Sequence, residues 1–121
     1  MSCFHLHNLA RVNSNCYQDN SKRILQSPHR IMKDSSMTIE KCQKFCFEKN
    51  YLYAGVQYAR ECFCGNDINP KILKPKSDCN KPCTGDSSQI CGGSWRMNIY
   101  RNPGIMIQFL FIYAFILMSI F

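Results

Sequence analysis

Four cysteines constrain this chain more than any other feature of its sequence. Cys42 and Cys46 are spaced i and i+4, and Cys62 and Cys64 are spaced i and i+2. On a helix the first spacing puts both side chains on one face, and on a strand the second does the same. The surrounding residues carry those periods. Thr38 is an N-cap followed by Ile39-Glu40, and a helix is expected to run to about Lys49 with Ile39, Cys42, Phe45 and Cys46 inward. Asn50 tolerates a left-handed backbone and stops it. Tyr53 to Asn66, YAGVQYARECFCGN, reads as an apolar, aromatic strand, a tight turn at Ala59-Arg60, and a second strand. A helix laid across that hairpin brings two pairs of thiols together. The spacing fits either choice of partners.

Nine cysteines in 121 residues say what holds such a chain closed. The cysteine-bearing head, roughly 85 residues, is one small domain with little core, and domains of that size commonly need staples. The spacings CxxxC, CxC and CxxxC lack the paired CxxC knuckles of common zinc sites, which favours disulfides and an oxidising compartment. His5, His7 and His29 lie outside the cysteine clusters and read as exposed loop residues, so no metal or other cofactor is expected. The formal charge of +7 is scattered over the head, for example at Lys22-Arg23, Lys41, Lys44, Lys71, Lys74 and Lys76. No basic helix face emerges, which argues against nucleic acid and leaves a solvated surface that favours anionic glycans or membranes.

Residues 1–14 lack the apolar run of a secretory signal and are expected to be unstructured. A head that needs oxidation therefore implies a fragment missing its true start, and Cys3 falls outside the even set as unpaired. Cys16 and Tyr17 begin a short strand, and residues 26–36 read as a loop around Pro28 and Asp34-Ser35-Ser36. Asn66 to Asp78, with Pro70, Pro75 and three lysines, reads as a surface loop. In CNKPCTGDSSQICGGSW, Cys79, Cys83 and Cys91 form a turn-rich knot, with Gly85 and Gly92-Gly93 supplying unusual backbone. Trp95 to Tyr100 alternates as a half-buried strand should, Trp95, Met97 and Ile99 inward. No N-glycosylation sequon occurs.

The tail from Gly104 to Phe121 has no charge. Its eighteen residues reach roughly 27 Å as a helix, just short of a hydrocarbon core. Only Gln108 and Ser119 interrupt it, so residues 102–121 are expected to associate with a membrane. A single span is the first reading. A signal cleaved and replaced by a glycolipid anchor is the second, although the spacer Arg101-Asn102-Pro103 is short for that role. Arg96 and Arg101 both lie on the head side of the tail, which opposes an external head unless a leader sets the orientation.

With these residues in view, the head resembles the WSC domain of fungal cell-wall stress sensors and Kremen-type receptors. The resemblance spans Cys16 to Tyr100. It is carried by Cys16-Tyr17-Gln18-Asp19, Arg23-x-Leu25, Met37-Thr38 with Cys42 and Cys46, Tyr53-Ala54-Gly55-Val56, Arg60 through Asn66, Ser77-Asp78-Cys79-Asn80, Pro82-Cys83, Cys91-Gly92-Gly93 and Trp95-Arg96. The resemblance implies a small disulfide-rich α+β domain over residues 15–101, one helix packed on a short antiparallel sheet, followed here by a C-terminal hydrophobic helix. It implies the pairings Cys16 with Cys79, Cys42 with Cys62, Cys46 with Cys64, and Cys83 with Cys91. Three positions depart from the pattern: Asn15 and Ala59 stand where glycine is usual, and Phe63 where Trp or Tyr is. Ala59 matters most, since a positive φ strains it.

WSC domains are regarded as carbohydrate-binding or adhesive modules, so the resemblance implies an extracellular, membrane-tethered domain that binds polysaccharide or glycoprotein. Aromatic faces stack on pyranose rings while polar groups hydrogen-bond to hydroxyls. Tyr53, Tyr58, Phe63 and Trp95 are the aromatic candidates, with Asn66, Asp86 and Gln89 as polar helpers; core packing competes for the aromatics and turn formation for Asp86 and Gln89. A protein-interaction ectodomain without glycan specificity is the alternative. An enzyme finds little support: no Ser-His-Asp order is evident, and Glu61 with Asp67 makes an unconvincing glycosidase pair.

Overall fold

The computed structural model describes residues 14–120, with residues 105–111 described by their backbone alone. His5, His7 and Cys3 therefore lie outside the described residues. The hairpin is β3 (Tyr53–Gln57) and β4 (Glu61–Gly65), in which Ala54 faces Cys64 and Val56 faces Cys62. That register puts Ala54, Val56, Cys62 and Cys64 on one face and Tyr53, Gly55 and Phe63 on the other. The turn spans Tyr58, Ala59 and Arg60, the expected Ala59-Arg60 with one residue more. Gln57 pairs with Glu61, and Tyr58 (φ 52°) and Ala59 (φ 71°) are its left-handed residues. Two left-handed residues in succession match the twist of the flanking strands. Ala59 carries the steric cost of that conformation, so Ala59→Gly is expected to stabilise the domain by about 0.5–1 kcal/mol in urea unfolding. A loss of stability would count against this turn.

The helix α1 (Ile39–Phe47) lies on the Cys62/Cys64 face. Thr38 Oγ1 accepts the Lys41 N–H at 3.0 Å. At the other end the Tyr51 N–H donates to Cys46 O and the Asn50 N–H to Phe47 O, with Asn50 at φ 64°. This is a Schellman stop, built on the expected residue. Ile39, Cys42 and Cys46 point inward as expected; Gln43 joins them and Phe45 is only partly covered. Cys42 is bonded to Cys62 and Cys46 to Cys64, with Cα separations of 5.4 and 5.3 Å. Between the two bridges, Cys46 Sγ lies 3.7 Å from Cys62 Sγ.

The strands β1 (Asn15–Gln18), β2 (Arg30–Ile31), β5 (Leu73–Lys74) and β8 (Arg96–Arg101) complete a six-stranded sheet of order β2-β4-β3-β8-β1-β5 with antiparallel neighbours. β6 (Pro82–Cys83) and β7 (Asp86–Ile90) form a separate hairpin. Two segments expected to be loops thus contribute edge strands, β2 and β5, each of two residues. β5 stops at Pro75, which cannot donate to a ladder. The expectation that β8 is half-buried is also corrected. Met97 and Ile99 are buried on one face, and Asn98 and Tyr100 on the other. α1 and the cysteine knot cover the second face; Ile24, Leu25 and Ile68, from loops, cover the first. In the knot, Cys83 is bonded to Cys91, while Cys79 reaches away to Cys16. Gly92 has φ 66°, and a side chain there meets the carbonyl oxygens of Arg96 and Val56.

The last helix, α2 (Pro103–Ile120), begins at Asn102. Asn102 Oδ1 accepts the Gly104 N–H at 2.8 Å, and its Nδ2 donates to Tyr51 O at 3.2 Å. One side chain therefore caps α2 and ties its start to the head. Among the described residues no helix is long and apolar enough to cross a membrane.

Candidate functional site

At the end of the sheet where β1 stops and β8 starts, three side chains stack. The Arg23 guanidinium lies 5.1 Å from the centre of the Phe63 ring and 5.0 Å from that of Trp95. Its NH1 donates to Asp19 Oδ2 at 2.7 Å, and Asp19 Oδ1 accepts the Ile24 N–H at 3.0 Å. The Asp19 carboxylate is fully enclosed. It forces the 19–24 turn, and with Arg23 at φ 65° the turn swings that side chain back over Phe63. Trp95 is also left-handed, at φ 54°. Two bulky residues thus hold a costly conformation within one stack. Each cation–ring contact is worth about 0.5–2 kcal/mol, more where water is excluded.

Beside the stack, Gln57 and Glu61 face each other across the base of the hairpin, on the Phe63 side of the sheet. Gln57 Oε1 is buried and has no hydrogen-bond partner among the described residues. Burial raises the Glu61 carboxyl above its usual range, and Asp19 adds to this; the Arg23, Arg60 and Arg30 charges oppose it. The raised value means that the folded chain holds this proton more tightly than the unfolded one. The stability this gives is present in acid and is lost as pH rises through the folded-state value. Glu61→Gln is expected to melt higher than the parent at pH 7, with the difference closing towards about pH 4, where both chains carry a neutral side chain. Thermal unfolding at the two pH values tests this, and a gap that persists in acid contradicts it.

From Arg23 an open groove of about 660 Å³ runs past Lys22, Gln26 and Ser27 to Arg30. A smaller one of about 290 Å³ lies beyond the same loop, lined by Tyr51, Asn66, Asp67 and Asn69. The expected site residues are distributed unevenly around these features. Trp95 and Tyr58 are each 47% exposed, and Lys81 Nζ sits 5.4 Å from the Tyr58 ring centre. Tyr53 packs partly buried against the loop-covered core. Phe63 is enclosed and presents its face to Arg23, not to solvent. Asn66 lines the smaller groove while its Oδ1 accepts the Leu52 N–H at 2.9 Å. Asp86 Oδ1 takes the Ser88 N–H and hydroxyl, closing a turn. Gln89 is buried, accepting the Ile39 N–H at 2.9 Å and donating to Glu40, so it caps α1. His29 is an exposed loop residue whose Nδ1 lies 2.6 Å from Tyr51 Oη.

Arg23, Asp19 and Gln57 were not singled out from the sequence, although Asp19 and Arg23 stand within the motifs that carry the resemblance. Among the described residues the group close enough to hold a metal is Cys42, Cys46 and Cys62. All three sulfurs are in disulfides and offer no thiolate. Asp67 lies past the far end of β4 from Glu61, so the two do not face each other as a glycosidase pair.

The comparisons with known proteins fit this architecture. The WSC domain family model matches residues 13–93. Xylosyltransferase oxt of Drosophila melanogaster is 43% identical over 101 residues, 83% of this chain and 12% of that protein. A WSC domain-containing protein of Arthroderma benhamiae is 39% identical over 88 residues, 72% of this chain and 12% of the relative. Kremen protein 2 of Homo sapiens is 38% identical over 69 residues, 55% of this chain and 15% of the relative. The chain thus spans a small fraction of these relatives, and proteins of quite different description share the cysteine-stapled head. The chain belongs to the WSC domain family.

Proposed function

We propose that this chain is an extracellular, membrane-tethered module that binds carbohydrate at the Trp95–Arg23 end of the sheet. The observation that carries the reading is the stack itself. It offers an exposed indole, held by a guanidinium that a buried carboxylate fixes, next to a half-buried Glu61 and an open groove. A pyranose ring needs an apolar platform with fixed polar groups at its rim, and preorganised groups lose little entropy on binding. Tyr58, exposed at the neighbouring turn, extends the platform.

The tail supports the tether. Ile112, Tyr113, Phe115, Ile116, Leu117 and Met118 are exposed around the whole circumference of α2, and a helix apolar on every side is matched by lipid. Residues 104–121 then hold the head at the membrane, as a single span or as the signal for a glycolipid anchor. β8 runs about 20 Å from Arg96 to the start of α2, which separates the binding end from the point where the tail begins. Four buried bridges require oxidation, which supports a cell-surface placement.

Trp95→Ala in the full chain, solubilised in detergent, is expected to weaken polysaccharide binding at least tenfold, about 1.4 kcal/mol, while the chain stays folded and loses no more stability than the cation–ring contact supplies. A glycan array followed by titration against the best polysaccharide tests this. The similarity to Kremen protein 2 favours a second reading, a protein-interaction ectodomain. Silence on the array together with a captured protein partner selects it.

A further inference from the structure

We infer that the groove between Arg23 and Arg30 takes an acidic glycan, one bearing carboxylate or sulfate groups, with Lys22, Arg23 and Arg30 as its charge contacts. This deepens the carbohydrate reading and rests on it. Among the described residues the ion pairs are Arg23–Asp19, Lys41–Asp34 and Arg96–Asp78. Lys22 and Arg30 line the groove and Arg60 stands at the adjoining turn, all three exposed and without a carboxylate within ion-pair distance among those residues.

The acids nearby are turned inward. Asp19 has no exposed side-chain surface and is engaged by Arg23 and by the Ile24 N–H. Glu61 is half-buried under the influence of Arg23, Arg60 and Arg30. The groove therefore presents cations outward, and no carboxylate lines it. Arg23 has further donors on the planar fork that fits carboxylate and sulfate geometry. It is also pinned beside the aromatic platform, so that one sugar ring on Trp95 places its acidic substituent along the groove. The other two grooves differ. The smaller one beyond the loop is lined by Asn66, Asp67 and Asn69 with no cation, and the one beside Ser94 carries Asp78 in its wall, which takes the Arg96 guanidinium, while its other cation, Lys81, lies over the Tyr58 ring.

The test titrates the full chain in neutral detergent with heparin, polygalacturonate and uncharged xylan at about 50 and 200 mM salt, which screens exposed charges progressively. Expected is a preference of at least tenfold for one or both acidic polymers over xylan at low salt, shrinking at high salt; heparin alone assigns sulfate, and both assign charge in general. Lys22→Gln with Arg30→Gln is expected to cut acidic-polymer affinity roughly tenfold, whereas Lys74→Gln with Lys76→Gln, the same charge removed from a different loop, leaves it within about twofold. Glu61→Gln is expected to tighten it. Equal losses from the two lysine and arginine pairs, or equal affinity for xylan and the acidic polymers, overturn the inference while leaving carbohydrate binding standing. No binding to any of the three overturns both.

Discussion

Replacing Cys16 and Cys79 together by alanine is expected to lower the unfolding free energy by about 4 kcal/mol, and replacing Cys83 and Cys91 together by about 2.5 kcal/mol. The difference comes from the unfolded chain. A bridge removes loop-closure entropy in proportion to the logarithm of the loop it closes. Cys16–Cys79 joins residues 63 apart, while Cys83–Cys91 joins residues 8 apart. Cys42–Cys62 and Cys46–Cys64, at separations of 20 and 18, fall between, near 3 kcal/mol each. A domain of this size has about 5–10 kcal/mol in all, so the Cys16–Cys79 variant sits near its threshold. The Cys83–Cys91 variant stays folded. Guanidinium unfolding of the two double variants, each with three bridges verified by peptide mapping, decides the matter. Equal losses would mean that the bridges act through local packing and that chain entropy is not what distinguishes them.

What the sequence made legible was local chemistry. Thr38 announces a helix start because its hydroxyl serves an N–H three residues away, and Asn50 announces the stop because of its own backbone freedom. The spacings of Cys42 with Cys46 and Cys62 with Cys64 fix faces without reference to anything distant. The edge strands were not legible, because β5 exists only through its pairing with β1, where Cys16 faces Lys74. Nor was the burial of Asn98 and Tyr100, since the cover for their face comes from α1 and the knot. The site shows the same division. Trp95 was identifiable as an aromatic candidate, but its partner Arg23 stands 72 positions earlier in the chain. The other ring of the stack, Phe63, belongs to a third segment. Asp86 and Gln89 carry the same polar groups that a sugar needs, and only the fold shows that a turn and a helix start already use them.

Asp19→Ala is expected to cost about 3 kcal/mol and to weaken glycan binding at the same time. The side chain is fully enclosed and accepts from two donors, the Ile24 N–H and the Arg23 guanidinium. Removing it strands a backbone donor at Ile24, itself completely buried, and leaves a partly buried charge without its partner; each loss is in the range of 1–3 kcal/mol. Asp19→Asn keeps an acceptor for Ile24 and loses only the charge pairing, so about half the cost is expected. The consequence for the site follows from the same contacts. Without the carboxylate nothing fixes the guanidinium between Phe63 and Trp95, and the indole loses the cation that lies over it. Trp95 is the chain's single tryptophan, so its emission reports the stack directly, and a red shift with increased quenching is expected in the folded variant. A variant that loses stability while its emission stays unchanged would show that Asp19 supports only the loop, and that the Trp95 platform is held by something other than Arg23.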